Sequence, residues 1–410
     1  MHITFIESSP SGAGEASFKY AKEQGYFITL LTKSRHLYSP EIISYANKII
    51  ICNTHEEHAI RDAILSLNET HPINGITTTS DLHVPQACFA AQLLHLPSMS
   101  YDAANGVRHK HLMRQTLEKA YPDVNPYFKV VDCFDDAVEF ADDKGFPFVA
   151  KLSNGNDSIL VKLIHSVEDL SDYFESFNQL KGQLSDYQLV DQVLLEEYLV
   201  GQEFSVESVQ GVGTQRYLLG VTYKENQPNP DEGFAEVGVM FPFQGEYANQ
   251  LHEQVFRALD CLNIDCGVIH TECRVVNGQV KILEVNPRLI GDNFGSHAMP
   301  LALGYNPAHL VVDVAMDTFE SLPESLQRGT GWVAVTTQEN GIFHSFDNLG
   351  ELFEIQGVHH VVPRKLAGDP IDGIGNNGDI LALVITQGDS AEDAYQIAKN
   401  AAGQLKFSLR

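Results

Sequence analysis

The chain has 410 residues, enough for two to four domains with large cores, and carries 27 Lys and Arg against 54 Asp and Glu, a formal net charge of −27. So acidic a surface excludes binding to a nucleic-acid backbone or an anionic membrane through the molecule as a whole, but leaves room for a local basic pocket. Apolar content, at 43%, is that of an ordinary globular protein, so the acidity sits on a folded surface.

In chain order, residues 2–7 read as a short buried strand. "SSPSGAGEASFKYAKEQGY" follows as a glycine-rich turn and an amphipathic helix. "FITLLTK", "KIIICN" and "GITTTS" read as further strands, and "VPQACFAAQLLHL" as a helix. Strands alternating with helices predict a parallel α/β sheet, a Rossmann-like domain over 1–105. The turn Ser11-Gly12-Ala13-Gly14 does not complete a dinucleotide fingerprint. Ser17 stands where a third glycine belongs, and Lys33 rather than an acid ends the second strand. From about residue 100 the pattern changes. "RHKHLMRQTLEKAY" is a basic helix in an acidic protein; "YFKVVD" and "FPFVAKLSN" are strands flanking the helix "DCFDDAVEFADDKG". Then come "QLVDQVLLEEYLVGQEFSVESVQ" (strand, bend, strand), the helix "EYANQLHEQVFRALDCLNI" and the hairpin "GVIHTECRVVNGQVKILEVN". The last 80 residues form a small α/β unit ending on the helix "SAEDAYQIAKNAAGQL". The expected units are therefore 1–105, 106–190, 191–330 and 331–410. Six cysteines form no CxxC pair, and Cys261, Cys266 and Cys273 lie in an apolar stretch, so reduced buried thiols are expected. No apolar run nears the ~18 residues of a membrane span, and no basic region precedes an apolar one at the N-terminus. The expectation is a cytoplasmic protein.

The chemistry concentrates in the hairpin and in "KILEVNPRLIGD". Glu284, Asn286 and Arg288 recur at spacing two, the spacing of one strand face, and polar groups on a buried face need partners. Glu272 lies twelve residues before Glu284. A two-residue turn at Asn277-Gly278 would pair Glu284 with Thr271 and put the glutamates on opposite faces. A three-residue loop, Asn277 to Gln279, pairs them directly, and this is the expected register, with Gly278 left-handed. Two opposed carboxylates beside an amide are hard oxygen ligands suited to Mg²⁺. Because Mg²⁺ usually bridges carboxylates and substrate phosphates, phosphate-binding groups should lie nearby. Lys151, before "LSNGNDSI", and Lys110, in the basic helix, are the candidates. The connection carrying Glu196 and Glu197 can offer backbone groups to an adenine edge, and Glu203 can accept ribose hydroxyls.

Taken together, the lysine helix, the strand-lysine-glycine loop, "EEYLVGQEFS" and Glu-x11-Glu-x-Asn-x-Arg resemble the ATP-grasp superfamily over roughly residues 100–330. The N-terminal domain also looks like that family's usual first domain. The resemblance implies two α+β subdomains gripping ATP, phosphates on Lys110 and Lys151, an adenine site at Glu196, Glu197 and Leu199, and ribose at Glu203. It implies two Mg²⁺ ions, for which Mn²⁺ can substitute, on Glu272, Glu284 and Asn286, with Arg288 beside the transferred phosphoryl group. "SNGNDS" has one glycine where many members have two or three, and its expected phosphate contacts are Gly155 and Ser158. "ESSPSGAGEASFKYAKEQGY", "TTTSDLHVP", "KHLMRQTL" and "EVNPRLIGD" look most like the carboxylate–amine ligases that join L-amino acids, some of which make dipeptide antibiotics such as bacilysin or dapdiamides. Their C-terminal region packs back over the active site, and "GNNGDILALVITQGDSAEDAYQIAKNA" resembles it. The implied reaction activates a carboxylate as an acyl-phosphate and joins it to an amine, with small-molecule partners, no nucleic acid or membrane, and room for a homodimer. His270 shares a face with Glu272 and is either the general base or a core histidine. Three other readings stay open: an ATP-grasp enzyme of purine-biosynthesis or bicarbonate-phosphorylating type, an oxidoreductase using the N-terminal turn, and a nucleotide-binding regulator.

Overall fold

The protein is described here by a computed structural model covering residues 1–155, 159–183, 192–227, 234–291, 293–373 and 377–410. The first region alternates strands and helices: β1 (His2–Ile6), α1 (Ala13–Glu23), β2 (Phe27–Thr32), α2 (Pro40–Tyr45), β3 (Lys48–Ile51), α3 (Glu57–Thr70), β4 (Gly75–Thr77) and α4 (Val84–Leu93). The strands pair in parallel in the order β3-β2-β1-β4. Ile3, Phe5, Ile28 and Leu30 pack to one face with Phe18 and Ile42, while Ile6 and Leu31 pack to the other with Ile60, Ile64 and Ala87. A parallel sheet is covered on both faces, which is why its strands read as apolar runs rather than as alternation.

The glycine-rich turn after β1 has a steric rather than a nucleotide rationale. A Cβ on Gly14 would lie 1.9 Å from the Ser9 carbonyl, so only glycine lets the loop fold back on the start of α1. The loop is tied to the end of β4: Ser8 Oγ meets Thr79 Oγ1 at 2.6 Å, and Ser9 N donates to the same hydroxyl at 2.9 Å. Beneath it the buried Glu7 carboxylate accepts from Thr32 (2.6 Å), Lys33 N (2.6 Å), Tyr38 (2.5 Å) and Thr54 (2.8 Å). Burial alone would raise the pKa of Glu7; these four donors outweigh it and hold the carboxyl below its ordinary value.

Two helices, α5 (Tyr101–Arg108) and α6 (Lys110–Ala120), lead to a small antiparallel sheet. It comprises β5 (Phe128–Val131), β6 (Phe148–Leu152), β7 (Lys162–Ile164) and β8 (Val193–Glu197), in the order β5-β8-β6-β7, with α7 (Phe134–Lys144) and α8 (Val167–Gln183). Its separate core joins Val131, Phe148 and Leu195 to Phe140, Tyr173 and Phe177. The boundary expected at 190/191 falls before β8, yet β8 pairs with β5 and β6 and so belongs to this sheet. The chain leaves the small sheet at the bend 198–201 instead.

The remainder builds one eight-stranded antiparallel sheet. Its strands are β9 (Gln202–Gln210), β10 (Tyr217–Asn226), β11 (Glu236–Phe241), β12 (Gly267–Val276), β13 (Gln279–Asn286), β14 (Gly329–Val335), β16 (Val358–Pro363) and β18 (Ala382–Gly388), in the order β13-β12-β9-β10-β11-β14-β18-β16. The last region is thus not a free-standing α/β unit. Its strands β14, β18 and β16 extend the large sheet through the β11–β14 pairing, and the three-stranded β17-β15-β19 lies beside it (β15 Asn340–Phe346, β17 Pro370–Asp372, β19 Phe407–Leu409). Helices α9 (Ala248–Cys261), α10 (Met299–Leu303), α11 (Ala308–Ala315) and α12 (Ala391–Ala402) complete the fold. α11 lies against the N-terminal region: Ser17 donates to Ala308 O (3.0 Å), and Val312 and Ala315 join the core beneath α1. Cys266 and Cys273 are buried thiols and Cys261 is half-buried. Among the described residues no helix is long and apolar enough to cross a membrane.

Candidate active site

The hairpin β12–β13 decides the site. Val276 pairs with Gln279, so the turn has two residues, Asn277 and Gly278, both left-handed (φ 50° and 78°). The expected three-residue loop is therefore corrected: two successive left-handed residues are what a tight primed turn requires. The expected pairing of Glu272 with Glu284 nevertheless stands, because a β-bulge intervenes. Cys273 pairs with Ile282, Glu272 with Glu284, and Leu283 is the extra residue. One inserted residue moves every later side chain of β13 to the other face. The sheet, not the turn, brings the two carboxylates together.

Around this pair lies a cavity of about 520 Å³. It runs from the small sheet (Val149, Lys151, Leu152, Gly155), past Glu196 to Leu199 and Glu203, to the hairpin. Beyond the hairpin it continues to the N-terminal loop 8–13, to Thr79–Leu82, and to Arg364 and Asn377 of the last region. Every described candidate from the sequence lines it. Ser158 lies outside the described residues.

α6 starts beside the small sheet, with Lys110 N donating to Ser153 O at 2.8 Å. The buried Lys110 ammonium then donates to Gly155 O (2.7 Å) and pairs with Glu284 (2.9 Å). Lys151 ends β6 and pairs with Glu196 at 2.6 Å. Glu196 also takes Arg114 Nε at 2.5 Å, and both side chains are nearly inaccessible. Burial opposes ionisation of Glu196, but Arg114 and Lys151 outweigh it and bring its pKa down to about 2. Burial, with Arg114 and Lys110 nearby, lowers the pKa of Lys151 against the pull of Glu196. The Glu196 side chain thus holds two cations; the residues beside it line the cavity. Glu197 N donates to Tyr127 O (3.0 Å), and Leu199 O accepts from Arg274 (2.8 Å). Glu203 accepts from Asn226 (2.8 Å) and Arg274 (2.8 Å) through Oε2.

Three contributors were not singled out from sequence. Lys224, 3% exposed, pairs with Glu272 (2.7 Å) and Glu236 (2.8 Å). Its signal was a lysine on the buried face of "GVTYKEN", directly opposite Glu203 across the ladder. Arg114 follows Lys110 by one helical turn, in the basic helix already noted. Asp81, in "TTTSDLHVP", reaches in from the N-terminal region to Arg288 (Nε to Oδ1 3.6 Å). Asn286 turns its side-chain amide toward Asp81 (3.3 Å) and Glu284 (3.2 Å). Arg288 lies past the end of β13 and is aimed by a tight turn over Pro287, with Arg288 N donating to Asn286 O at 2.7 Å. The three polar groups at spacing two therefore meet in one cavity through a strand and a turn rather than through a strand alone.

His270 has Nδ1 2.9 Å from Glu207 and Nε2 3.1 Å from Glu272. Burial would discharge it, but the two carboxylates outweigh burial and raise its pKa. Held between two carboxylates, the ring orients Glu272. For a divalent ion the donor set fits: Glu272 and Glu284 are opposed oxygen donors with an amide beside them, and among the described residues each carboxylate keeps one oxygen without a hydrogen bond.

The fold agrees with the comparisons. Residues 144–297 match the family described as the ATP-grasp domain, and 333–410 match L-amino acid ligase C-terminal domain 2. The solved L-amino acid ligase from Bacillus licheniformis superposes with a TM-score of 0.80 at 21% identity, covering 99% of this chain and 98% of that one. N5-carboxyaminoimidazole ribonucleotide synthetase from Thermotoga maritima superposes at 0.73 and 16% identity, with both chains fully covered. Among curated proteins, an uncharacterized protein of Sinorhizobium fredii is 22% identical over 84% of this chain and 70% of its own length. The alanine–anticapsin ligase of Bacillus subtilis is 23% identical over 63% of this chain and 58% of its own length. The chain therefore carries an ATP-grasp domain followed by an L-amino acid ligase C-terminal domain, the domain pair of an ATP-dependent ligase that forms a C–N bond.

Proposed function

We propose that this enzyme activates a carboxylate at the γ-phosphate of ATP and joins it to an amine, both substrates being amino acids, with release of ADP and phosphate. The observation that carries this is one continuous cavity. It joins the lysine-lined end at Lys110 and Lys151 to the Glu272–Glu284 pair and to a far end walled by the N-terminal loop, Asp81, Arg288 and Arg364. Lys110 and Lys151 would bind the triphosphate, the connection 196–199 the base, and Glu203 the ribose. Glu272, Glu284 and Asn286 would hold two Mg²⁺ ions, which would supply the charge that neutralises the phosphates.

The chain's own groups then position and shield. The substrate carboxylate oxygen attacks the γ-phosphorus, ADP leaves, and the amine nitrogen attacks the acyl carbon as phosphate departs. Arg288, whose guanidinium can donate two parallel hydrogen bonds, would steady the acyl-phosphate and the oxyanion that follows. Asp81 offers a carboxylate suited to a substrate ammonium at the same end. The mixed anhydride hydrolyses in water, so excluding water from the cavity would limit that loss. Bacilysin- or dapdiamide-type dipeptides are the product class this reading favours. Phosphate release from Mg·ATP should be triggered by pairs of amino acids. Release triggered by bicarbonate, and by no amino-acid pair, would replace this reading with the bicarbonate-phosphorylating one.

A further inference from the structure

We propose that Arg114 is a positioning residue that sets the nucleotide lysine and the metal-facing carboxylate with a single guanidinium. This rests on the ATP and Mg²⁺ reading above. Arg114 is fully buried and lies one turn after Lys110, so both side chains leave the same face of α6. Its Nε holds Glu196 at 2.5 Å, and Glu196 holds Lys151. Its Nη1 and Nη2 donate to the carbonyls of Ile282 and Leu283, each at 2.8 Å, and Nη1 stands 3.4 Å from Asn125 Oδ1.

The two carbonyls are the telling contact. β13 is the edge strand of the large sheet, so its outer carbonyls lack a neighbouring strand. Successive carbonyls of a regular strand point to opposite edges. One planar group reaching two in a row needs a local kink, and Leu283 is the bulge residue. Without that bulge the register of the turn would place Glu284 opposite Thr271, on the wrong face. The guanidinium therefore clamps the irregularity that puts Glu284 opposite Glu272, and by its third nitrogen fixes the partner of Lys151. Lysine offers one point donor in place of this fork.

The test uses the full chain with Arg114→Lys and Arg114→Gln, a non-hydrolysable ATP analogue, and calorimetric titration across Mg²⁺ concentrations, with thermal melting on the same preparations. The variants should fold and require on the order of ten- to a hundredfold more Mg²⁺ for half-maximal nucleotide binding, the usual loss when a group orienting a metal ligand is removed. If neither single variant folds, Arg114→Met with Glu196→Gln leaves no unpaired buried carboxylate and should show the same rise in Mg²⁺ requirement. A folded variant with the wild-type Mg²⁺ requirement overturns the proposal, as does a lowered melting temperature with that requirement unchanged. Wild-type protein that binds nucleotide with no Mg²⁺ dependence would instead overturn the functional reading on which the proposal rests.

Discussion

Single side chains in this cavity have different kinds of work, and substitutions should separate them. Glu284 faces Glu272 and, among the described residues, has Lys110 as its charged partner, at 2.9 Å. Glu284→Gln should leave melting nearly unchanged, cut phosphate release by orders of magnitude and raise the Mg²⁺ requirement. Near-normal turnover at low Mg²⁺ would remove Glu284 from the metal site. Lys151 is different because its partner is shared. Lys151→Met leaves Glu196 still paired with Arg114, so the fold should survive while Mg·ATP affinity falls; calorimetry beside thermal melting separates the two. For Arg288→Lys the loss is the fork. Turnover should drop about ten- to a hundredfold, the worth of a charged hydrogen bond, with little change in ATP affinity. Equal damage to binding and turnover would move Arg288 to the nucleotide end. Lys110, Lys151 and Arg288 were legible because each sits at a strand end, a helix start or a proline in a recognisable order. Lys224 was not, because one lysine in an apolar strand is legible only when the neighbouring strands are known.

At the scale of elements, the hairpin separates turn from register. Asn277 and Gly278 form a two-residue turn, and nothing lies within 4 Å of where a Gly278 Cβ would stand. Gly278→Ala therefore meets no clash and should cost only the left-handed backbone conformation, about 1 kcal/mol in urea unfolding. Because the register is set by the bulge at Leu283, the Mg²⁺ requirement of this variant should match the wild type. A shift in that requirement would mean that the turn helps to set the pairing. The expectation of a three-residue loop erred because a bulge is invisible in a pattern: one inserted residue inside β13 has the same effect on later side chains as one added to the turn. The helix carrying Lys110 was readable as basic. That Arg114 faces inward, and not to solvent, depends on the strands it meets.

For the whole molecule, buried ionisable groups set how stability follows pH. His83 is buried, and among the described residues its Nε2 has no hydrogen-bond partner; burial lowers its pKa to about 4. The unfolded chain then binds more protons between pH 6.5 and 4, so stability present above pH 6.5 is lost as pH falls through that window, by roughly 3 kcal/mol. Glu196 adds a loss of the same sign from 4.5 down to about 2. His270 has the opposite sign: its raised pKa gives stability below its ordinary value that is lost as pH rises past the folded one. Melting temperature should therefore peak near neutrality. His83→Gln should flatten the fall between pH 6.5 and 4, and an unchanged slope would show that His83 is not buried as described. The arrangement of regions belongs to this scale as well. The last region was read as a unit of its own because helix and strands recur in it, yet β14, β18 and β16 continue the large sheet. Asn377, which lines the cavity, accepts from Glu236 N at 2.9 Å.

Local order in the chain was enough for the parallel α/β start, the lysines, the glutamate pair and the resemblance to ATP-grasp ligases, because apolar periodicity and motif spacing are properties of neighbours in sequence. What required the tertiary structure were pairings between distant segments. Arg114 with Glu196 and with the carbonyls of Ile282 and Leu283, Lys224 between Glu236 and Glu272, and Asp81 beside Arg288 each join strands or helices far apart in the chain. Such contacts follow from how sheets stack and where a bulge turns a strand. A buried charge takes whichever partner the packing brings, and spacing along the chain does not say which.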